Sequence, residues 1–401
     1  MKILFLGVVA GFVIATVGLR GADAFKQTLK DHDLSLNLRV RYEGVDQSNL
    51  QSADALTART RLGYQPKLTE QWTLRLEAEN VFALDGNSYN QAGLNPGGAG
   101  RAVIADPEST ELNQAWLAFD AMGTKATVGR QRLVLNNARF IGDVGWRQND
   151  QTFDAVVLTN TSWEKTKLTY FYLNQVNRIF GHDHPQGSWD SESHGFNAGT
   201  TLIKGGTLTA YTYLLEFTNA ATNSCATSGV SWVGVVPLDE GMKFTYRLEA
   251  ARQSDYRHSP VNYSNAYSAF EMGVAATWGE VGFGLESLGT NRGIGFKTPL
   301  ATAHAFNGWA DQFLATPGDG LNDVYGKIKT MLPGEISLLA VYHKFESERN
   351  ATPIGSEFDL VFNRKISQAL ALTAKWADFK PEAGSGRVSV QKIWLQADCS
   401  W

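Results

Sequence analysis

From Asp33 onward, apolar and polar residues take turns along the chain. In DLSLNLRVRYE (Asp33–Glu43), Leu34, Leu36, Leu38, Val40 and Tyr42 share one parity, and Ser35, Asn37, Arg39, Arg41 and Glu43 share the other. A period of two marks a strand with one apolar and one polar face. The next segment sets Leu56, Ala58, Thr60, Leu62 and Tyr64 against Thr57, Arg59, Arg61, Gly63 and Gln65. The third sets Trp72, Leu74, Leu76 and Ala78 against Thr73, Arg75, Glu77 and Glu79. Further strands are expected near 111–120, 125–134, 152–160, 165–175, 194–203, 206–217, 229–236, 242–252, 266–278, 280–289, 321–332, 335–346, 356–366, 369–378 and 388–398, about eighteen with the first three. The segments at 125–134, 165–175 and 335–346 alternate poorly.

The connections alternate too. Short turns near 67–70, 121–124, 161–164, 204–206, 237–241, 278–280, 332–335 and 367 separate longer links near 46–55, 83–110, 134–151, 176–193, 218–228, 253–265, 289–320, 347–355 and 379–387. Short turns at one end and long loops at the other belong to a transmembrane antiparallel up-and-down β-barrel, all-β, with short periplasmic turns and long extracellular loops. A soluble sandwich would mix hairpins with long crossovers and turn its apolar parity inward.

The chain ends agree with an exported barrel. Lys2 precedes the apolar run Ile3–Leu19, and Ala22-Asp23-Ala24 forms a small-x-small site. This reads as a secretory signal cleaved after Ala24, leaving residues 25–401 as one barrel domain, against the alternative of an N-terminal anchor. The expected location is the outer membrane of a Gram-negative bacterium, with outer-membrane lipid as surroundings. The last residue, Trp401, shares the outer parity of Ile393, Leu395 and Ala397. It suits an interfacial aromatic girdle and a C-terminal signal to the barrel-assembly machinery. The two cysteines fall at opposite ends of the barrel, so no disulfide is expected between Cys225 and Cys399. Net charge is −4, with no basic block to suggest nucleic acid.

A barrel of this size leaves an aqueous lumen, so the inner parity carries function. Arg39, Arg41, Arg59, Arg61 and Arg75 lie there, joined later by Lys243, Arg247, Lys327, Lys329 and Lys375. Symmetric hairpins would set Arg39 opposite Arg61, Arg41 opposite Arg59 and Arg61 opposite Arg75. Two readings stand. One is an arginine ladder that guides small anionic or carbohydrate solutes, as rings of Arg and Lys do in anion pores. The other is a mixed wall salt-bridged by Glu43, Glu77 and Glu79, since like charges set opposite each other destabilise a sheet. The link GRQRLVLNNARFIGDVGWRQNDQTFDAV (Gly129–Val156) adds Arg130, Arg132, Arg139 and Arg147 with Asp143, Asp150 and Asp154, beside Phe140, Ile141 and Trp146. It is too long for a tight hairpin and fits a segment packed inward. Its Arg–Asp pairs either pin it to the wall or receive a sugar acid.

That link and FKTPLATAHAFNGWADQFLATPGDGLNDVY (Phe296–Tyr325) resemble segments of the bacterial alginate-export porin family. The resemblance implies an outer-membrane porin of eighteen strands. Its best-known members secrete the anionic polysaccharide alginate through an arginine-lined lumen, and many others have no assigned substrate. Within Phe296–Tyr325, His304, Asn307, Trp309 and Asp311 suit a hydrogen-bonded cluster around an aromatic, in a self-packed loop at the outer mouth.

Other chemistry is weakly signalled. His194 follows Ser191 and Ser193 without a nucleophile elbow, and His304 lies near Asp311, so no enzyme activity and no catalytic residue are expected. His182-Asp183-His184 lacks a fourth metal ligand, so no metal and no cofactor are expected. A general diffusion porin without solute preference is the alternative to an anion or sugar porin. A barrel hydrolase ranks below both, and a monomer is expected.

Overall fold

Eighteen strands close into a single antiparallel sheet, in which β1 (Leu34–Gln47) pairs with both β2 (Ala53–Tyr64) and β20 (Val390–Ser400). The computed structural model describes residues 22–85, 89–239 and 241–401. Around the ring run β3 (Trp72–Ala83), β4 (Ser109–Ala121), β5 (Thr124–Gln131), β6 (Thr152–Asn160), β7 (Thr166–Asn177), β8 (Ser188–Thr200) and β9 (Gly206–Leu215). They are followed by β10 (Cys225–Asp239), β11 (Met242–Asp255), β12 (Ser264–Ala276) and β13 (Gly279–Leu288). After a two-strand ribbon, β14 (Thr290–Asn291) with β15 (Ile294–Gly295), the barrel resumes with β16 (Leu321–Leu332), β17 (Ile336–Glu346), β18 (Pro353–Lys365) and β19 (Leu370–Pro381). The strand positions match those expected from alternation, and the short-turn and long-link ends are as read.

A helix, α1 (Ala22–Asp31), precedes β1 at the short-turn end. The expected signal segment lies outside the described residues up to residue 21.

The outer parity is apolar and uncovered. Leu62, Phe196, Phe283, Ile328 and Phe358 all remain exposed. So much apolar surface on a single chain fits a lipid-facing belt. Trp72, Trp163 and Trp278 are exposed near the short-turn end. Trp401 closes the seam there by exchanging backbone hydrogen bonds with Leu36, at 2.9 and 3.1 Å. It packs on the outer cluster of Leu370, Ala397 and Cys399. Cys225 and Cys399 are both free and buried.

The buried core lies inside the barrel. Phe140, Ile141, Phe296 and Leu300, from the links 132–151 and 289–320, pack with inward residues Phe153, Phe171, Leu173, Tyr211, Tyr213 and Tyr267. This explains two of the poorly alternating segments. On β7 and β17, inward Phe171, Leu173 and Phe345 are apolar because they join this inner cluster, so both parities read as hydrophobic.

The register corrects the expected arginine pairing. Arg39 faces Arg59, while Arg61 faces Asn37 on β1 and Glu79 on β3. Arg41 faces Thr57. The cause is in the turns. Between β2 and β3 the chain makes a smaller hairpin first, with Leu68 N bonded to Trp72 O at 2.9 Å and Thr69 Oγ1 accepting from Trp72 N at 3.1 Å. That hairpin offsets β3, so Tyr64 meets Leu76 and an acid stands opposite Arg61.

Candidate functional site

Both long links, 132–151 and 289–320, enter the lumen and join each other. Gly142 N donates to Leu300 O at 2.8 Å, and Thr302 N to Ala138 O at 3.0 Å. Gln151 Nε2 bonds the carbonyls of Gly142 (2.8 Å) and Leu300 (3.3 Å). At Gly142 a β-carbon would stand 2.3 Å from Thr302 Oγ1, so this junction requires glycine. The links fold inward because Phe140, Ile141, Phe296 and Leu300 are apolar and the aromatic inner faces of β9 and β12 receive them. Phe140 meets Tyr211 at 5.4 Å and Tyr267 at 5.2 Å.

The arginines of β1 and β2 grip this insert. Arg39 bonds Asp398 at 2.7 Å and reaches the carbonyls of Gly145 and Arg147 at 3.3 Å. Arg41 donates to Gln396 (2.8 Å), Asp106 (3.3 Å) and the Trp146 carbonyl, and lies over the Trp146 ring at 4.3 Å. Arg61 joins Glu79, Asp150 (2.5 Å) and the Gln148 carbonyl (3.3 Å). Segment 145–148 has no strand partner, so its carbonyls need donors, and a guanidinium offers five N–H groups in a fork. Arg59 differs. It bonds Asn37 Oδ1 at 2.5 Å and Gln148 O at 3.4 Å, its Nε has no partner, and no carboxylate among the described residues forms an ion pair with it.

The remaining inner charges are mostly paired. Glu77 receives Arg75 and Arg132. Arg130 pairs with Asp154 at 2.7 Å, Arg247 with Glu271 at 2.7 Å, and Lys327 with Glu271 at 3.4 Å. Asp143 serves its own link, accepting from Gly145 N at 3.2 Å. Lys243 and Lys329 lie toward the short-turn end, with no ion pair among the described residues.

The second link docks through a polar knot. His304 Nδ1–H donates to Asp311 Oδ1 at 2.7 Å, and its Nε2 accepts from Lys375 Nζ at 2.7 Å. Asp311 Oδ2 accepts from Lys392 (2.6 Å) and Arg147 (3.2 Å), and Arg147 also pairs with Glu43 at 3.0 Å. Burial holds the His304 imidazole neutral, with its pKa lowered to about 3. Against the same burial, His304, Lys392 and Arg147 keep the Asp311 carboxyl well below the usual range. Lys375 sits 3.7 Å over Trp309 and 4.3 Å over Trp146. Trp146 stacks on His304 at 4.8 Å.

Of the four residues expected to cluster, then, His304 and Asp311 bond each other and Trp309 lies beside them across Lys375. Asn307 turns elsewhere, accepting from Arg139 (2.9 Å) and donating to Glu286 (2.6 Å) and Asp323 (3.1 Å). Arg139 itself pairs with Glu286 at 2.8 Å. Next to Asn307, Gly308 has φ +83°, and a β-carbon there would stand 2.4 Å from Glu357. The segment is therefore docked on the wall at mid-strand, not self-packed at the mouth. It reaches the wall because Trp309 N and Ala310 N find acceptors on β18, Asp359 at 3.2 Å and Glu357 at 2.6 Å.

On the long-link side of this knot lies a cavity of about 640 Å³, floored by Arg147, His304 and Asp311 and walled by Arg178, Trp189 and Lys297. Arg178 lies over the rings of Trp189 (4.0 Å) and Phe180 (4.8 Å), and Lys297 over Tyr263 (4.8 Å). Burial lowers the Arg178 pKa to about 10 and lowers that of Lys297, and neither has a carboxylate ion pair among the described residues. The alternation pattern gives no signal for these two, because both stand in links. His182 and His184 diverge, one to Glu111 at 2.8 Å and the other to Ala92 O at 2.9 Å. His194 meets Tyr170, at 2.9 Å.

The family model described as alginate export matches residues 31–284. Among curated proteins nothing matches the chain. Solved structures of similar fold include Pseudomonas aeruginosa OpdL, 16% identical with TM-score 0.69, covering 93% of this chain and 99% of that one. Acinetobacter baumannii OccAB4 is 13% identical with TM-score 0.72, over 92% of this chain and 97% of that one. Pseudomonas aeruginosa OpdK, in a structure with vanillate, is 12% identical with TM-score 0.71, over 92% and 99%.

Proposed function

Since the chain belongs to the alginate export family of outer-membrane porins, we propose that it passes small anionic or carbohydrate solutes across the outer membrane through a lumen whose selectivity is set by Arg39, Arg41, Arg59 and Arg61. The observation that carries this reading is Arg59. On the inner parity, buried under the insert, this guanidinium has no carboxylate partner, so its positive charge stays uncompensated in the wall and adds to the potential that a passing anion meets. OpdK, a barrel of this fold, has a crystal structure with vanillate, a carboxylate.

One observation favours a second reading, a general diffusion porin without preference. Arg39, Arg41, Arg61 and Arg75 already have carboxylate partners, which offset their charge. Reversal potentials in a planar bilayer under a salt gradient separate the two. Anion preference, with block by glucuronate, supports the first. A potential near zero with no block supports the second. Absence of any conductance would refute both.

The proposal extends to processing and assembly. The signal is cleaved after Ala24, the barrel-assembly machinery reads Trp401, and the mature barrel of residues 25–401 works as a monomer. Catalysis is not part of it, since the His304 ring nitrogens are both engaged by Asp311 and Lys375.

A further inference from the structure

We infer that the lipid-facing side of β6–β11 is a binding site for a phosphorylated glycolipid of the outer leaflet, with its phosphate on Arg252 and an acyl chain in the groove beside it. The inference depends on the barrel standing in an outer membrane and not on what its lumen passes.

Height, charge and shape lead there. Met242 and Arg252 share the outer parity of β11 and are both exposed, while Glu249 and Gln253 point inward and are buried. Met242 begins the apolar band at the short-turn end, and Arg252 stands ten residues further along. Ten residues span roughly 34 Å of strand, or about 26 Å along the axis when strands tilt by about 40°. The apolar band of such a barrel is about 25 Å tall, so Arg252 reaches the outer-leaflet headgroups, where a cation on the lipid face costs little.

The register surrounds Arg252 with small neutral side chains. Ser228 on β10 and Ala266 on β12 stand directly opposite, and Ala226, Ser264 and Ser268 lie diagonally. Arg252 Nε donates to Ser264 Oγ at 3.3 Å. Its Nη groups have neither a hydrogen bond nor an ion pair among the described residues. Lys344 and Lys380 also face outward near the long links, but they have carboxylates at 4.0 and 3.4 Å. A guanidinium with its outer edge free matches a phosphate bidentately. Beside it, Thr212 and Ser228 are bonded hydroxyl to hydroxyl at 3.0 Å and offer polar contacts to a sugar headgroup.

A groove of about 760 Å³ opens on the same outer face, and Ser228 lines it. Ala198 and Ala210 stand opposite each other in its floor, with Leu158, Leu168 and Phe196 around them. Small residues flanked by large ones leave a trough whose apolar lining suits a methylene chain. Ser228 joins the two halves, since it lines the groove and faces Arg252 across the β10–β11 pairing. Free phosphate would use Arg252 alone, and an uncharged lipid the groove alone. A phosphorylated glycolipid uses the guanidinium, the hydroxyls and the groove together.

The test titrates the delipidated full barrel in detergent with bisphosphorylated lipid A, dephosphorylated lipid A and phosphatidylglycerol, and reads bound lipid by native mass spectrometry. Bisphosphorylated lipid A is expected to bind at least tenfold tighter than either comparison lipid. Arg252→Gln should weaken it about tenfold, the loss of one charge-assisted contact. Ala210→Trp, which fills the groove and leaves Arg252 in place, should weaken it by a similar factor. Both substitutions face lipid, so each variant should keep the single-channel conductance of the parent, which also verifies folding. Equal binding of dephosphorylated lipid A would remove the phosphate contact, and equal binding of phosphatidylglycerol would remove the glycolipid preference. Either result overturns the inference, as does unchanged lipid A affinity in either variant. A protein dimer that Ala210→Trp dissociates would overturn it too, by assigning the groove to a second copy of the chain.

Discussion

Replacing Asp311 with Asn tests whether the inserted link is held by charge. The substitution keeps size and shape. One amide oxygen replaces two carboxylate oxygens; facing Lys392 and Arg147 it leaves the NH2 toward His304 Nδ1, and Arg147 keeps Glu43 at 3.0 Å. Lys392 is the group left exposed to loss, because Asp311 is its one ion-pair partner among the described residues, at 2.6 Å with side-chain exposures of 7% and 5%. Removing one member of a buried pair costs about 3–5 kcal/mol, because the other charge stays desolvated without compensation. The lower figure applies here, since an amide oxygen still accepts from the ammonium. About 3 kcal/mol raises the population of released link by roughly two orders of magnitude. The strand ladders are untouched, so the barrel itself should keep its stability. Amide hydrogen exchange is expected to rise by about that factor across 303–312 and not in β18 or β19. Single-channel traces should show added gating noise. Adding Lys392→Met to the variant should restore much of the protection, as the stranded charge is removed. Unchanged exchange and a quiet current in Asp311→Asn would show that apolar packing alone seats the link.

Acid should loosen the same seat. His304 is neutral when docked, with a pKa near 3 against an ordinary 6.5, so the released link binds the extra proton and stability falls as pH drops below 6.5, by about 1.4 kcal/mol per unit. Asp311 works over a lower range. Its depressed pKa contributes stability that is present above 3.8 and lost only as pH falls further. Gating noise measured from pH 7.5 to 4.5 should therefore grow below 6.5, and a flat profile would contradict the docked geometry of His304. Gly142→Ala should separate the two links, since its β-carbon meets Thr302 Oγ1 at 2.3 Å; faster exchange at Gly142 and Thr302 with an intact barrel is the expected readout. Arg59→Gln should reduce anion preference in reversal-potential measurements more than Arg75→Gln does, because Arg75 is already neutralised by Glu77.

The barrel was legible because alternation is local. Each strand declares its parity within a few residues, and Leu34 to Tyr42 suffice for β1. Register is less local. Shifting the pairing of β2 and β3 by an even number of residues preserves parity, so nothing in the pattern distinguishes Arg61 opposite Arg75 from Arg61 opposite Glu79, four residues on. The turn chemistry at Thr69 decides it. The insert was partly legible, since Phe140, Ile141 and Trp146 in a charged link signal a segment with somewhere apolar to go. That Phe296–Tyr325 goes to mid-strand was hidden, because its acceptors, Glu357 and Asp359, come later in the chain and look like ordinary lumen acids. Arg178 and Lys297 escaped notice because their character lies in the absence of a nearby carboxylate, which only three dimensions reveal.

The insert also has a mechanical consequence. A closed sheet resists stretching along its strands but ovalises easily, because that only bends the hinges between neighbours. The link 132–151 touches β1 through Arg147 and Glu43, and β9 and β12 through Phe140 with Tyr211 and Tyr267. It thus braces walls that lie nearly across the ring from one another. Lateral pressure from the bilayer meets a strut rather than a hollow tube, and the width of the passage is fixed by the length of that strut.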